Sequence, residues 1–203
     1  WEEREEELKE VCNKYRRNDG HYDVLIPGSG GKDSFVQAHL LKYKYGMNPL
    51  TCTWAPHIYT DWGWKNHNKW IHAGFDNILF TPNGRVHRLL TRVAVENLFH
   101  PFQPFILGQK NLAPKIASQY GIKLIMHGES GAEYGHRKKS DITNANQALE
   151  YHSGRTDEKN TFLGGSSLEE LKTLGMNSVD FDPYLPIDPS LIEDNQIEIH
   201  SLG

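Results

Sequence analysis

The stretch that decides the fold is YDVLIPGSGGKDSF, residues 22–35. Val24, Leu25 and Ile26 form a short aliphatic run with no polar residue to face water, as expected of a strand buried on both faces of a parallel sheet. From Asp33 to Tyr45, Phe35, Val36, Ala38, Leu40, Leu41 and Tyr43 recur at helical spacing, and Gly46 stands where a C-terminal cap belongs. Strand, glycine loop, helix is the resulting order. At such a turn the first N–H groups of the helix have no carbonyl partner and lie at the positive end of the helix dipole, so an anion is welcome there. Gly30 and Gly31 let the backbone approach phosphate oxygens, Ser29 and Ser34 add hydroxyls, and Lys32 adds a charge. Asp33 fits beside an anion as a helix cap or as a ligand to Mg²⁺. The spacing SGGKDS is not the GxxxxGK[ST] of a Walker A loop. A plain flexible turn is the competing reading.

Outward from this unit the alternation continues. PLTCTWAP (49–56) and NILFTP (77–82) read as strands, with a helix through NKWIHAG ending at Gly74 between them. A long helix follows around RVHRLLTRVAVENLF. Another covers LAPKIASQYG (112–121) with Gly121 as its stop, and IKLIMHGE (122–129) is a fourth strand. The N-terminal stretch WEEREEELKEVCNKYRRN has loose helical spacing. Strands separated by helices predict βαβ units and a parallel sheet with helices on both faces. Residues 130–167 turn polar and glycine-rich and are expected to be a lid or loop region. The chain begins at Trp1 and ends on the strand-like IEIHSLG, which reads as part of something longer.

Composition narrows the function classes. The chain has 203 residues, 37% of them hydrophobic, enough for one domain with its own core over 1–203. With 22 Lys plus Arg against 26 Asp plus Glu the net charge is -4, no footprint for non-specific nucleic-acid binding. Cys12 and Cys52 form neither a CxxC nor a disulfide framework, and no run reaches membrane-spanning length. A cytoplasmic protein without a nucleic-acid or membrane partner is expected, its oligomeric state open. The histidines lack the HxxxH or HExxH spacing of a zinc site.

The motif SGGKDS, placed after an apolar strand and opening a helix, resembles the loop of the N-type ATP pyrophosphatases, the PP-loop superfamily. Taken with NPLTCTWAP, YTDWGWKN, GFDNILFTPNGRVHR, HPFQPFILGQ and MHGESGAEYG in this order, the chain resembles the N-acetyl sugar amidotransferases from its first helix to about Gly135. Members usually carry a cysteine-rich segment ahead of that helix, so no metal site of that segment can be assigned here. The resemblance implies a Rossmann-like fold of adenine nucleotide alpha hydrolase type. It also implies conversion of an acetamido group of a nucleotide-linked sugar to an acetamidino group, for bacterial surface polysaccharide or flagellin glycan synthesis. ATP and Mg²⁺ are the implied cofactors, and a separate glutaminase subunit the implied source of ammonia.

By the same resemblance, Ser29, Gly30, Gly31, Lys32, Asp33 and Ser34 hold the β and γ phosphates, with Lys32, Asp33 and Ser34 in the catalytic role. Thr53, Trp54 and Ala55 meet adenine through their backbone or are simply a strand end. Gln109, beside Gly108, reads adenine or ribose or opens a helix. His127, Gly128 and Glu129 close over ATP, and Asp33 and Glu129 share Mg²⁺, unless Glu129 is a solvated carboxylate. Trp62, Trp64 and Trp70, near Asn66 and Asn68, suit stacking on a sugar or base, with packing preferred for Trp70. Arg137, Lys138 and Lys139 neutralise phosphate or form a solvated charge run. A tRNA-thiolating PP-loop enzyme and a non-catalytic adenine-nucleotide-binding module are the alternatives.

Overall fold

The computed structural model describes residues 2–128 and 158–201. Its central strands are β1 (Val24–Pro27), β2 (Pro49–Trp54), β3 (Asp76–Phe80), β4 (Leu124–His127) and β7 (Glu198–Ser201). They form a five-stranded, wholly parallel sheet in the order β3-β2-β1-β4-β7. β1 lies in the middle, which is why its residues are apolar on both faces. Leu25 packs into one core, whereas Val24 and Ile26 pack into the other. The edge strand β3 is half exposed and carries Asp76 and Asn77.

Helices cover both faces, as the alternation predicted. On one side α1 (Glu2–Tyr15), α2 (Lys32–His39) and α3 (Asp61–His72) contribute Cys12, Ala38 and Trp70 to a core with Phe75 and Met126. On the other, α4 (Gly84–Leu98) and α5 (Gln103–Tyr120) bring Leu90, Val93, Ala113 and Ile116 against Leu50, Cys52 and Ile125. Gly46, Gly74 and Gly121 all have positive φ where the sequence placed helix stops.

Three elements differ from expectation. The helix placed over 33–45 is α2 followed by a π-helical turn, Leu40–Lys44. The helix expected to start at Leu112 begins at Gln103, because Pro104 sits in its first turn, where no N–H is needed. Within the segment read as loop, residues 158–167 contain a hairpin of β5 (Phe162–Leu163) and β6 (Ser166–Ser167).

Beyond it, α6 (Leu168–Thr173) and α7 (Ser178–Phe181) each start with a capping box, Ser167 with Glu170 and Asn177 with Asp180. A 3₁₀ turn (Asp182–Tyr184) and α8 (Pro189–Asp194) lead into β7. Leu171, Phe181, Tyr184 and Ile192 from this stretch seal the α5 side of the core. Asn111 anchors it by donating to the Tyr184 carbonyl at 2.7 Å.

Candidate functional site

In an open parallel sheet the crevice opens where the strand order reverses, beyond the carboxyl ends of the strands. Here that point lies between β1 and β4. A cavity of about 1000 Å³ occupies it, floored by Pro27, Gly28, His127, Gly128 and Ser201.

One end of the cavity is built of backbone. Gly31 caps α2 in an extended conformation without a side-chain hydrogen bond, and the first helical bond is from Phe35 N–H to the Gly31 carbonyl at 3.0 Å. The N–H groups of Lys32, Asp33 and Ser34 precede that bond and have no intrahelical acceptor. Ser29, Gly31, Asp33 and Ser34 line the cavity beside them. Gly30 has φ +82°, and a Cβ there would stand 2.6 Å from the Asn66 carbonyl oxygen, so the loop is pressed against α3. Thr53 holds its other side, donating from Oγ1 to the Gly28 carbonyl at 2.6 Å while accepting from Asn77 Nδ2 at 3.1 Å. Gly128 backs the start of α2, where a Cβ would meet the Asp33 backbone at 3.0 Å.

The predicted residues of this loop divide. Ser29, Gly31, Asp33 and Ser34 converge on the cavity; Gly30 shapes the loop from behind. Lys32 is not on the wall: its side chain is 89% exposed, with Asp33 Oδ1 at 3.8 Å from its Nζ. Ser34 Oγ donates to the Gly31 carbonyl at 3.3 Å. Glu129 and the basic run 136–139 lie outside the described residues.

The other end is built of side chains. Thr53, Trp54 and Pro56 continue from β2, Phe105, Ile106 and Gln109 come from α5, and Tyr59, Thr60, Gly63 and Asn66 from α3 and its approach. Gln109 lies well inside α5. Ala55 is not on the wall, and its N–H donates to the Phe80 carbonyl at 2.9 Å. Trp54 stacks on Phe80 with ring centres 4.9 Å apart, and a Cβ at Gly108 would fall 2.2 Å from its ring, so α5 crosses directly over the indole. Behind Trp54, His87 Nδ1 and the Tyr184 hydroxyl share a 2.8 Å hydrogen bond, and the His57 ring lies 3.8 Å from His87. Burial, with His57 beside it, pushes His87 down to about 4.

His127 at the floor is likewise pushed down to about 4, by burial and by Lys110 nearby, so its ring is neutral at pH 7. Cys52 reaches the cavity but is buried, which drives its thiol up to about 12. Cys12 is buried in the core on the opposite face of the sheet and is also raised, chiefly by burial. Neither is a thiolate at neutral pH.

Among the described residues no group of three or more His, Cys, Asp or Glu could hold a metal by itself. Mg²⁺ bound with a nucleotide needs fewer protein ligands, one or two carboxylates with phosphate and water completing the shell. Asp33, 52% exposed on the cavity wall, fits that demand.

Sequence reasoning missed Tyr59, Thr60, Gly63, Phe105, Ile106 and Lys110 as lining residues. A glycine inside the α3 pattern was the one local signal, since Gly63 has no helical reason to be there. Of the tryptophans, Trp70 is core, packed on Phe35 and Phe75, while Trp62 and Trp64 stay outside, 72% and 50% exposed. No helix among the described residues is long and apolar enough to cross a membrane.

No family model matches the chain. No curated protein matches it either. Among solved structures it is similar to a predicted subunit of tRNA methyltransferase from Methanocaldococcus jannaschii, at 17% identity and a TM-score of 0.43, over 88% of this chain and 66% of that one. It is also similar to the NH3-dependent NAD synthetase from Campylobacter jejuni, at 16% identity and a TM-score of 0.49, over 97% and 91% of the two chains.

Proposed function

We propose that this chain belongs to an ATP-using, adenylate-forming enzyme of the PP-loop type, and that its reaction turns an acetamido group of a nucleotide-linked sugar into an acetamidine. The observation that carries the first part is the open N-terminus of α2. Three successive N–H donors and two serines meet at the switch point, with no side-chain cap to compete for them. The second part rests on the resemblance of the flanking motifs.

The chemistry follows from what an amide lacks. Its carbonyl carbon is a poor electrophile and its oxygen a poor leaving group. Attack of the amide oxygen on the α-phosphorus forms a P–O bond, breaks the bond to the β-phosphate and releases pyrophosphate. Ammonia then adds to the activated carbon, the C–O bond breaks with AMP as the leaving group, and a proton passes to solvent or stays on the amidine. The loop donors orient the β and γ phosphates and neutralise charge as pyrophosphate departs. Asp33 and, in this proposal, Glu129 would hold Mg²⁺, which would supply further charge neutralisation. Both thiols are buried and protonated, which supports ammonia delivered by a separate glutaminase subunit rather than made here.

Product analysis tests the proposal. With a UDP- or CMP-linked acetamido sugar, ATP and ammonium, the protein is expected to release AMP and pyrophosphate and to exchange one oxygen of the sugar for NH. Glutamine should substitute for ammonium only when a glutaminase is added. Sulfur transfer to tRNA would move the protein to the thiolating class. ATP bound but left intact with every acceptor would make it a binding module.

A further inference from the structure

The first two turns of α3 carry a feature that the ATP site does not use. Trp62 is 72% exposed, next in sequence to the cavity-lining Gly63, and Lys65 Nζ lies over its ring, 4.7 Å from the centre. Residues four apart share a stripe on a helix. Trp62 therefore stands one turn from Asn66, which lines the cavity and whose carbonyl abuts Gly30 of the loop. Ile58 and Gly63, on either side of Trp62 in sequence, line the same cavity. Trp64 lies on the other flank, held edge-on by Tyr59 at 5.2 Å and beside His67 at 5.9 Å. The two exposed tryptophans are thus different: one is packed into an aromatic cluster, the other is exposed on the turn whose Gly63 and Asn66 line the cavity, with the Lys65 ammonium over one face of its ring.

We infer that Trp62, Lys65 and Asn66 form the acceptor subsite, in which the Trp62 indole stacks on a ring of a nucleotide-linked sugar and Lys65 faces its diphosphate. This rests on the function proposed above and adds where the second substrate lies. An exposed indole offers a large flat apolar face to a base or to the C–H face of a pyranose. A flexible ammonium on a neighbouring turn suits a phosphate group as a point charge. From Trp62 to Asn66 is about 6 Å along the helix axis, so a ligand stacked on the indole extends inward along Asn66 toward the loop, where its amide would meet the nucleotide.

Calorimetry and kinetics on the whole chain test the subsite, with a panel of UDP- and CMP-linked acetamido sugars as acceptors and a non-hydrolysable ATP analogue as the other ligand. Trp62→Ala is expected to weaken acceptor binding and raise its KM about 10-fold or more, with Trp62→Tyr recovering most of the loss. Lys65→Ala should weaken the acceptor by a factor that shrinks as salt rises. Affinity for the ATP analogue should stay within about twofold of the parent in all three variants, as the stacking and charge effects concern the acceptor alone. Both residues are exposed, so folding is not at stake. Unchanged acceptor KM in Trp62→Ala, with AMP and pyrophosphate still released, overturns the subsite and leaves the adenylation reading standing. A parent that binds ATP but none of the sugars overturns both. Loss of self-association in Trp62→Ala without loss of acceptor affinity would make the indole a contact between copies and overturn the subsite.

Discussion

The two ends of the cavity are made of different material. The loop end consists of backbone: N–H groups at the start of α2, set in place by Gly30 against α3 and by Thr53 against Gly28. The far end consists of side chains brought together from β2, α3 and α5. A backbone site depends little on which side chains it carries, provided no Cβ intrudes. A side-chain site is the reverse. Substitutions that add or remove single groups at each end should therefore separate phosphate binding from recognition of the rest of the nucleotide.

The largest effect is expected at Gly30. Valine there must hold a φ of +82° and place Cβ 2.6 Å from the Asn66 carbonyl. Together these cost about 3 kcal/mol or more, and pyrophosphate affinity measured by calorimetry should fall more than about 100-fold. Gly108→Ala is the matching change at the other end, its Cβ 2.2 Å from the Trp54 ring. Overpacking of about 1–3 kcal/mol should lower the melting temperature and weaken adenosine, while pyrophosphate affinity holds. If Gly108→Ala lost pyrophosphate and kept adenosine, the two ends would have been assigned the wrong way round.

Ser29→Ala and Ser34→Ala come next. Each removes a hydroxyl from the proposed phosphate site, where it would be worth about 1.5–3 kcal/mol, so ATP turnover should drop roughly 10- to 100-fold; the melting temperature should hold in Ser29→Ala and fall slightly in Ser34→Ala, which also loses the bond to the Gly31 carbonyl. Turnover equal to the parent's in both variants would mean that the N–H groups alone bind the phosphates.

The same contrast explains what the sequence disclosed. Gly28–Ser34 is contiguous, so the strand, loop and helix that aim it could be read from one short window. The sheet and its two helical layers were legible for the same reason, because apolar runs and glycine stops are local signals. Tyr59 and Phe105 are far apart in the chain and meet at the cavity only after α3 and α5 have packed on the sheet, and no local pattern marks that meeting. Trp70 and Trp62 show the limit most sharply. Both sit in one polar stretch eight residues apart, and only the packing of α3 against Phe35 and Phe75 decides that one is core and the other is exposed.

The far end also carries a pH dependence. His87 is buried, and its folded value of about 4 lies below the ordinary 6.5. The unfolded chain therefore binds more protons between these values, so stability should fall as pH drops from about 6.5 toward about 4. The full shift corresponds to about 3 kcal/mol at most. Denaturant melts of His87→Gln should show a shallower loss over this window, with part of the remaining slope due to His127, His57 and His67, which burial lowers in the same direction. A parent curve flat from pH 7 to 4 would show that His87 is charged when folded.

The smallest effect is expected at Lys32, although the motif makes it the most conspicuous cation of the loop. Its side chain is 89% exposed, and its carboxylate neighbour Asp33 lies 3.8 Å away, a spacing that holds it loosely. From that position its charge would act on a triphosphate at the loop through water, where salt screens it. Lys32→Ala should raise the KM for ATP less than about fivefold at low ionic strength, and the difference should fade as salt is added, whereas the losses at Ser29 and Ser34 should persist. Measuring the three variants along one salt series separates the cases. A salt-insensitive fall in kcat for Lys32→Ala, as large as that for the serines, would mean that the ammonium swings onto the phosphates once they are bound, and the loop end would then depend on a side chain as the far end does.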